Sequence, residues 1–90
     1  MPEIFRIDNI IIKMYSYDTD KHKEPHFHVY ISQGDNCSVS IADGKILSGN
    51  IGRKEKRIIM AWIILHKEEL WDRWNNAVSG KRIEKIRAKF

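Results

Sequence analysis

The sequence is poor in residues that staple a chain or carry it through a membrane. Cys37 is the only cysteine. An intrachain disulfide is excluded, and so is a metal site built from the cysteines of one chain. Such usage fits a reducing cytoplasm. The longest apolar run, IIMAWIIL at 58–65, falls far short of the ~20 residues that a membrane-spanning helix needs. No membrane partner is expected. The opening, MPEIFRID, has no basic segment followed by an apolar stretch, so it does not read as a secretory leader. There are only two prolines, and from Arg53 to Ser79 there is neither glycine nor proline. No repeat or low-complexity tract interrupts the chain.

Ninety residues make a single domain, 1–90, with a thin core. Nine aromatic residues enlarge that core, because each can bury a large area. A homodimer or a partner protein would cover what the core cannot. Charge is unevenly distributed. Residues 1–50 hold five Lys/Arg against seven Asp/Glu, and residues 51–90 hold eleven against five. The excess sits in RKEKR (53–57), which includes Arg53 and Lys54, and in KRIEKIRAK (81–89). Clusters of this kind can bind phosphate groups, as in RNA, or simply solvate a helix end and a tail.

The first half, 1–49, is predicted to be mainly β. NIIIKMYSY (9–17) is β-branched and aromatic. DTDKHKEP (18–25) is polar and ends in proline, which marks a loop. HFHVYIS (26–32) alternates, with Phe27, Val29 and Ile31 on one side and His26, His28 and Tyr30 on the other. CSVSIA (37–42) alternates again, Ser38 and Ser40 facing outward. Asp43-Gly44 is a hairpin turn signal before KILSG (45–49). Residues 50–80 are predicted helical, with Asn50 or Gly52 at the N-cap and Gly80 as terminator. Ile58, Trp62 and Leu65 form one helical set, and Leu70, Trp74 and Val78 another. The two are out of phase, which predicts a bend or break near His66–Lys67. Residues 81–90 form a basic tail with a short strand through Ile83. The expected fold is α+β: an N-terminal antiparallel β-meander of about four strands packed against one long or two short C-terminal helices.

Chemistry concentrates in HKEPHFH (22–28). On a strand, His26 and His28 share a face, with Cα atoms about 6–7 Å apart. His22 precedes them in a loop that Pro25 stiffens. Three readings follow. His22, His26 and His28 could hold a divalent metal such as zinc, leaving a coordination position open; no other cofactor is expected. A histidine pair could instead serve as general acid and base of a metal-free ribonuclease, since imidazole titrates near neutrality. Arg or Lys would then hold the phosphate, with Tyr15, Tyr17 or Tyr30 assisting. Finally, both histidines could be polar residues on a wet sheet face. Trp62, Trp71 and Trp74 fit a core better than a base-stacking platform, with Trp71 or Trp74 partly exposed.

Several motifs together resemble the small bacterial proteins grouped as domain of unknown function 4160. They are MPEI (1–4), His22, PHFHV (25–29), Asp43-Gly44, and Trp62, His66, Glu69, Leu70 and Trp74 on the helix. Glu24 stands where that family usually has a proline. The resemblance covers nearly the whole chain and names no catalytic residue. It implies a gene pair of toxin–antitoxin type, with this chain the toxin, bound by a small cognate protein encoded nearby; together with the basic C-terminal half and the histidine cluster, it makes RNA the expected target. Alternatives are a non-enzymatic antitoxin or adaptor, or a metal-binding domain. The resemblance also draws attention to His66 and Glu69, three apart on one helix face. With His22, His26 and His28 they would form one pocket if that face meets the histidine edge of the sheet. His26, His28 and His66 are then the candidate catalytic residues, and His22, Tyr30, Glu69, Arg53 and Lys54 the candidate binding residues.

Overall fold

A computed structural model describes residues 3–15, 24–32 and 34–86. His22, Tyr17, Asp18 and Asp20 lie outside the described residues. The chain forms β1 (Glu3–Ile7), β2 (Ile10–Lys13), β3 (His26–Ile31), β4 (Asn36–Ser40), β5 (Ile46–Gly49) and then α1 (Arg53–Val78). The strands make one antiparallel sheet in the order β1-β2-β3-β4-β5. The meander is as expected, but it has five strands instead of four. The additional strand is β1. It pairs with β2 across the two-residue loop Asp8-Asn9, where Asp8 has a φ of 51°. Short hairpin loops need such a positive φ, and Asp tolerates it. An irregularity in register between Glu3 and Phe5 interrupts the period-two pattern, which conceals the strand in the sequence.

Directly paired residues on neighbouring strands point to the same side of a sheet. Phe5, Ile12, Val29 and Cys37 form one such row, and Phe27, Val39 and Ile46 another. This is the core side. Ile12, Phe27 and Val29 are wholly buried, and each full burial of such a side chain contributes about 1.5–3 kcal/mol. The opposite side carries the rows Arg6, Ile11, Tyr30, Asn36 and Lys13, His28, Ser38, Ser48, with His26 beside Ser40. Ser38 and Ser40 do point to that side, yet both are buried.

Helix α1 closes the core side. Trp62 is fully buried, with its ring centroid 5.0 Å from Phe5 and 5.8 Å from Phe27. The buried stripe is Ile59, Trp62, Ile63, His66, Leu70, Trp74 and Ala77. Its steps of three and four keep one continuous helical face. The expected stripe placed Leu65 and Val78 inward, but both are exposed. His66 fills the inward position one turn after Trp62, a place that polarity alone argues against. The predicted break is real: His66 has φ −120° and ψ 24°, non-helical values within the helix. Trp71 is the partly exposed tryptophan of the pair, and Trp74 is buried.

Gly52 is the N-cap. At the other end, Gly80 has a φ of 73°, its N–H donates to Ala77 O, and the Lys81 N–H donates to Asn76 O. These two bonds make a Schellman cap, so Gly80 terminates the helix as expected. Residues 81–86 form no strand. Instead, Arg73 donates from Nε to Glu84 O and from Nη2 to Lys85 O, at 2.8 and 2.9 Å. Ile86 is buried and its N–H donates to Ile4 O. The start of the tail is therefore held back against β1.

Cys37 lies in the core, and burial pushes its thiol above the ordinary range. The folded protein thus keeps a proton that the unfolded chain releases. This contribution to stability is complete below the ordinary thiol pKa and disappears as pH rises from there through the raised value. Unfolding free energy above about pH 9 should fall more steeply for the native sequence than for Cys37→Ala, by up to about 1.4 kcal/mol per pH unit. Denaturant titrations across that range would measure it. Parallel curves would contradict the assignment.

Candidate functional site

The histidines separate into two environments. On β3, His26 and His28 share the strand face opposite Phe27 and Val29, with ring centroids 5.2 Å apart and planes inclined at 70°, but only His26 is covered by the helix. His26 is 1 % exposed. Its Nδ1 lies 3.1 Å from the carbonyl oxygen of Glu24. A carbonyl only accepts, so Nδ1 carries the proton and donates it. The Trp74 ring lies 5.4 Å away. Glu24 makes a second link: its carboxylate accepts from the Ser40 hydroxyl at 3.1 Å, and Ser40 is paired with His26 across the strands. The loop residue just before Pro25 therefore fixes both the position and the tautomer of His26. Such backbone anchoring of one ring nitrogen orients the other.

His28 is partly exposed. Its Nδ1 lies 3.3 Å from the Ser38 hydroxyl. Tyr15 meets its ring edge-on at 5.1 Å, and Tyr30 lies nearly parallel at 6.3 Å. The two tyrosine hydroxyls are 3.0 Å apart. Lys13 stands opposite His28 in the β2–β3 pairing, and its ammonium lies 5.1 Å from the Tyr30 ring centre. An ammonium, an imidazole and one phenol, those of Lys13, His28 and Tyr30, are thus partly exposed together, backed by the buried Tyr15 phenol and Ser38 hydroxyl. A cation over an aromatic face keeps its charge available to an anion while the ring holds it in place.

His66 is elsewhere. It is buried on the core side, 5.3 Å from Trp62 and 6.0 Å from Phe5 by ring centroids. Its Nδ1 is 2.7 Å from Glu69 Oε1, so the imidazole donates to the carboxylate. Its Nε2 is buried and has no hydrogen-bond partner among the described residues. Phe5 shares its row with Val29, so His66 sits over the sheet face opposite to His28. Of the residues expected to share one pocket, His28 points away from the face that His66 covers, whereas His26 lies against Trp74 of the same helix. The continuous stripe is the reason: it turns His66 into the aromatic core, while the strand alternation turns His28 out. Arg53 and Lys54 lie exposed in the first turn of α1. His22 is outside the described residues. Among the described residues no three His, Cys, Asp or Glu side chains gather as a metal site would require.

Lys13 and Ser38 join the His28 surface without a sequence signal of their own. Both are placed by cross-strand register. The register between β2 and β3 depends on a long connection, and local pattern does not determine it.

The His66–Glu69 pair reads as a structural hydrogen bond at the bend. Glu69→Ala strands a buried donor and should destabilise the fold by about 1–3 kcal/mol. Adding His66→Leu removes that donor and the unpartnered Nε2 together. The double variant should therefore be more stable than Glu69→Ala alone. Thermal and urea unfolding would check this; a further loss in the double variant would oppose it.

A family model described as "Domain of unknown function (DUF4160)" matches residues 9–75. No curated protein and no solved structure matches the chain. The matched span runs from the start of β2 through Trp74 and includes the whole His26–His28 surface and the His66–Glu69 pair. This chain belongs to the DUF4160 family.

Proposed function

We propose that the chain is the toxin-like component of a bacterial two-gene module, acting on RNA through the His28 surface and restrained by a small cognate protein encoded nearby. The observation that carries the reading is the company of His28: Lys13 and Tyr30 partly exposed beside it, with Tyr15 and Ser38 buried behind it. Single-stranded RNA is held by cations that track its phosphates and by aromatic rings that stack its bases. Lys13 supplies the first kind of group, and Tyr30 and His28 the second. An imidazole with partial exposure can also take a proton from a ribose 2′-hydroxyl or give one to a leaving oxygen. In this scheme His28 meets the RNA and Lys13 holds the phosphate. His26 positions His28 from its anchored site, and His66 belongs to the core.

A second reading is favoured by one observation. His26 is too buried to meet a substrate in this conformation, which leaves His28 to supply proton transfer alone or with a phenol. A module that binds RNA or its partner protein without cleaving it needs no second group. The metal-binding alternative depends on His22 joining His26 and His28.

Expression in a bacterial host, with and without the neighbouring gene, separates these readings. Growth arrest relieved by the neighbour is expected. His28→Ala should abolish arrest and RNA cleavage, and Lys13→Ala should weaken RNA association and flatten its salt dependence. RNA association without cleavage would select the binding module. Normal growth together with no RNA association would reject the proposal.

A further inference from the structure

The outward face of α1 carries a stripe of residues that are all exposed: Arg57, Ala61, Ile64, Leu65, Glu68 and Asp72. They recur at steps of three and four apart from the adjacent Ile64-Leu65 pair, the spacing of one helix side, and the bend at His66 falls between Leu65 and Glu68. At the centre, Ile64 is 78 % exposed and Leu65 59 %, the former being the most exposed large apolar side chain among the described residues. A shallow groove runs beside them, bordered by Lys67, Glu68 and Glu69. Single exposed apolar residues are ordinary. Two in succession, flanked by opposite charges at the two ends of a stripe, suggest a contact surface.

The charge order identifies the occupant. The stripe is basic before the apolar centre, at Arg57, and acidic after it, at Glu68 and Asp72, while Lys67 beside it is turned to the Ala42 carbonyl. Arg57 stands as many residues before the Ile64–Leu65 midpoint as Asp72 stands after it, with the bend at His66 on the Asp72 side. A two-fold axis through that midpoint therefore sets Arg57 of one copy against Asp72 of the other, twice. The same operation sets Ala61 against Glu68, and Ile64 against Leu65. Isologous interfaces require this self-complementarity. Parallel alignment would oppose like charges instead. Asp72 also receives a hydrogen bond from Arg73 through Oδ2, which holds the carboxylate in place.

We propose that a second copy of this chain docks on this stripe, pairing the two α1 helices antiparallel about Ile64 and Leu65. The surface is on α1 and does not involve Lys13, His28 or Tyr30, so dimerisation leaves the His28 surface to its own ligand.

Sedimentation of the full chain from about 1 µM to about 1 mM, where small specific interfaces dissociate, should show monomer and dimer in equilibrium. Leu65→Glu should be monomeric throughout. Arg57→Asp or Asp72→Arg alone places like charges together at both ends and should weaken the dimer about tenfold. The double variant, Arg57→Asp with Asp72→Arg, should restore it to within about threefold of the native sequence. Circular dichroism would confirm that these surface variants fold. A native chain that stays monomeric, a dimer that survives Leu65→Glu, or charge reversals that do not rescue one another would each overturn the proposal. If the native chain is monomeric but Leu65→Glu blocks a complex with the protein encoded nearby, the stripe belongs to that partner and not to a second copy.

Discussion

Trp62, packed between Phe5 of β1 and Phe27 of β3, is the contact that joins the helix to the sheet. The two strands it bridges are not neighbours, since β2 lies between them. One wholly buried side chain thus spans three strands. It decides which side of the sheet is sealed, and alternation along each strand does the rest. Phe27 and Val29 enter the core and His28 is turned away from it, while His26, in phase with His28, is still covered by Trp74 of the helix. One turn beyond Trp62, the helix must still offer an inward residue. That residue is His66, and Glu69 satisfies its Nδ1 at the bend. The kink and the buried imidazole occur at the same residue.

The histidines therefore play unlike parts despite their proximity in the sequence or in the family pattern. His66 is packed among aromatic rings on the sealed side. His26 is anchored through Nδ1 to the Glu24 carbonyl and covered. His28 alone among these three combines partial exposure with polar and cationic neighbours. A histidine that meets a ligand must be reachable, and a histidine that orients another need not be. Glu24 has a definite place in this arrangement. Its carbonyl holds His26 and its carboxylate holds Ser40, so the carboxylate adds a polar tie that a proline side chain at this position would lack.

The α+β class, the meander and the helix limits were legible because each has a local cause. Strand faces follow from period-two alternation in HFHVYI, the stop at Gly80 from its positive φ, and the bend from the five-residue step between Leu65 and Leu70. β1 was not legible, because its register irregularity places Ile4 and Phe5 out of simple alternation and because Asp8-Asn9 reads as a strand start as readily as a turn. The helix stripe departs from the expected one at Leu65 because His66, a polar residue, takes the core position. The candidate site was legible only as far as one strand carries it. His26, His28 and Tyr30 share a face by counting, whereas Lys13 and Ser38 reach it by pairing between strands. The separation of His66 from His28 is a consequence of tertiary packing, and spacing along the chain contains no record of it.

Membership of the DUF4160 family names no chemistry, so the division of the sheet into a sealed face and one that leaves His28 partly exposed bears the functional account. The most direct measurement is a nuclear magnetic resonance titration of the labelled chain with a short single-stranded RNA. The account predicts shifts concentrated at Lys13, Tyr15, His28, Tyr30 and Ser38, with Phe5, Trp62 and His66 little changed. Shifts confined to the helix or to the basic tail, with the His28 surface silent, would contradict it.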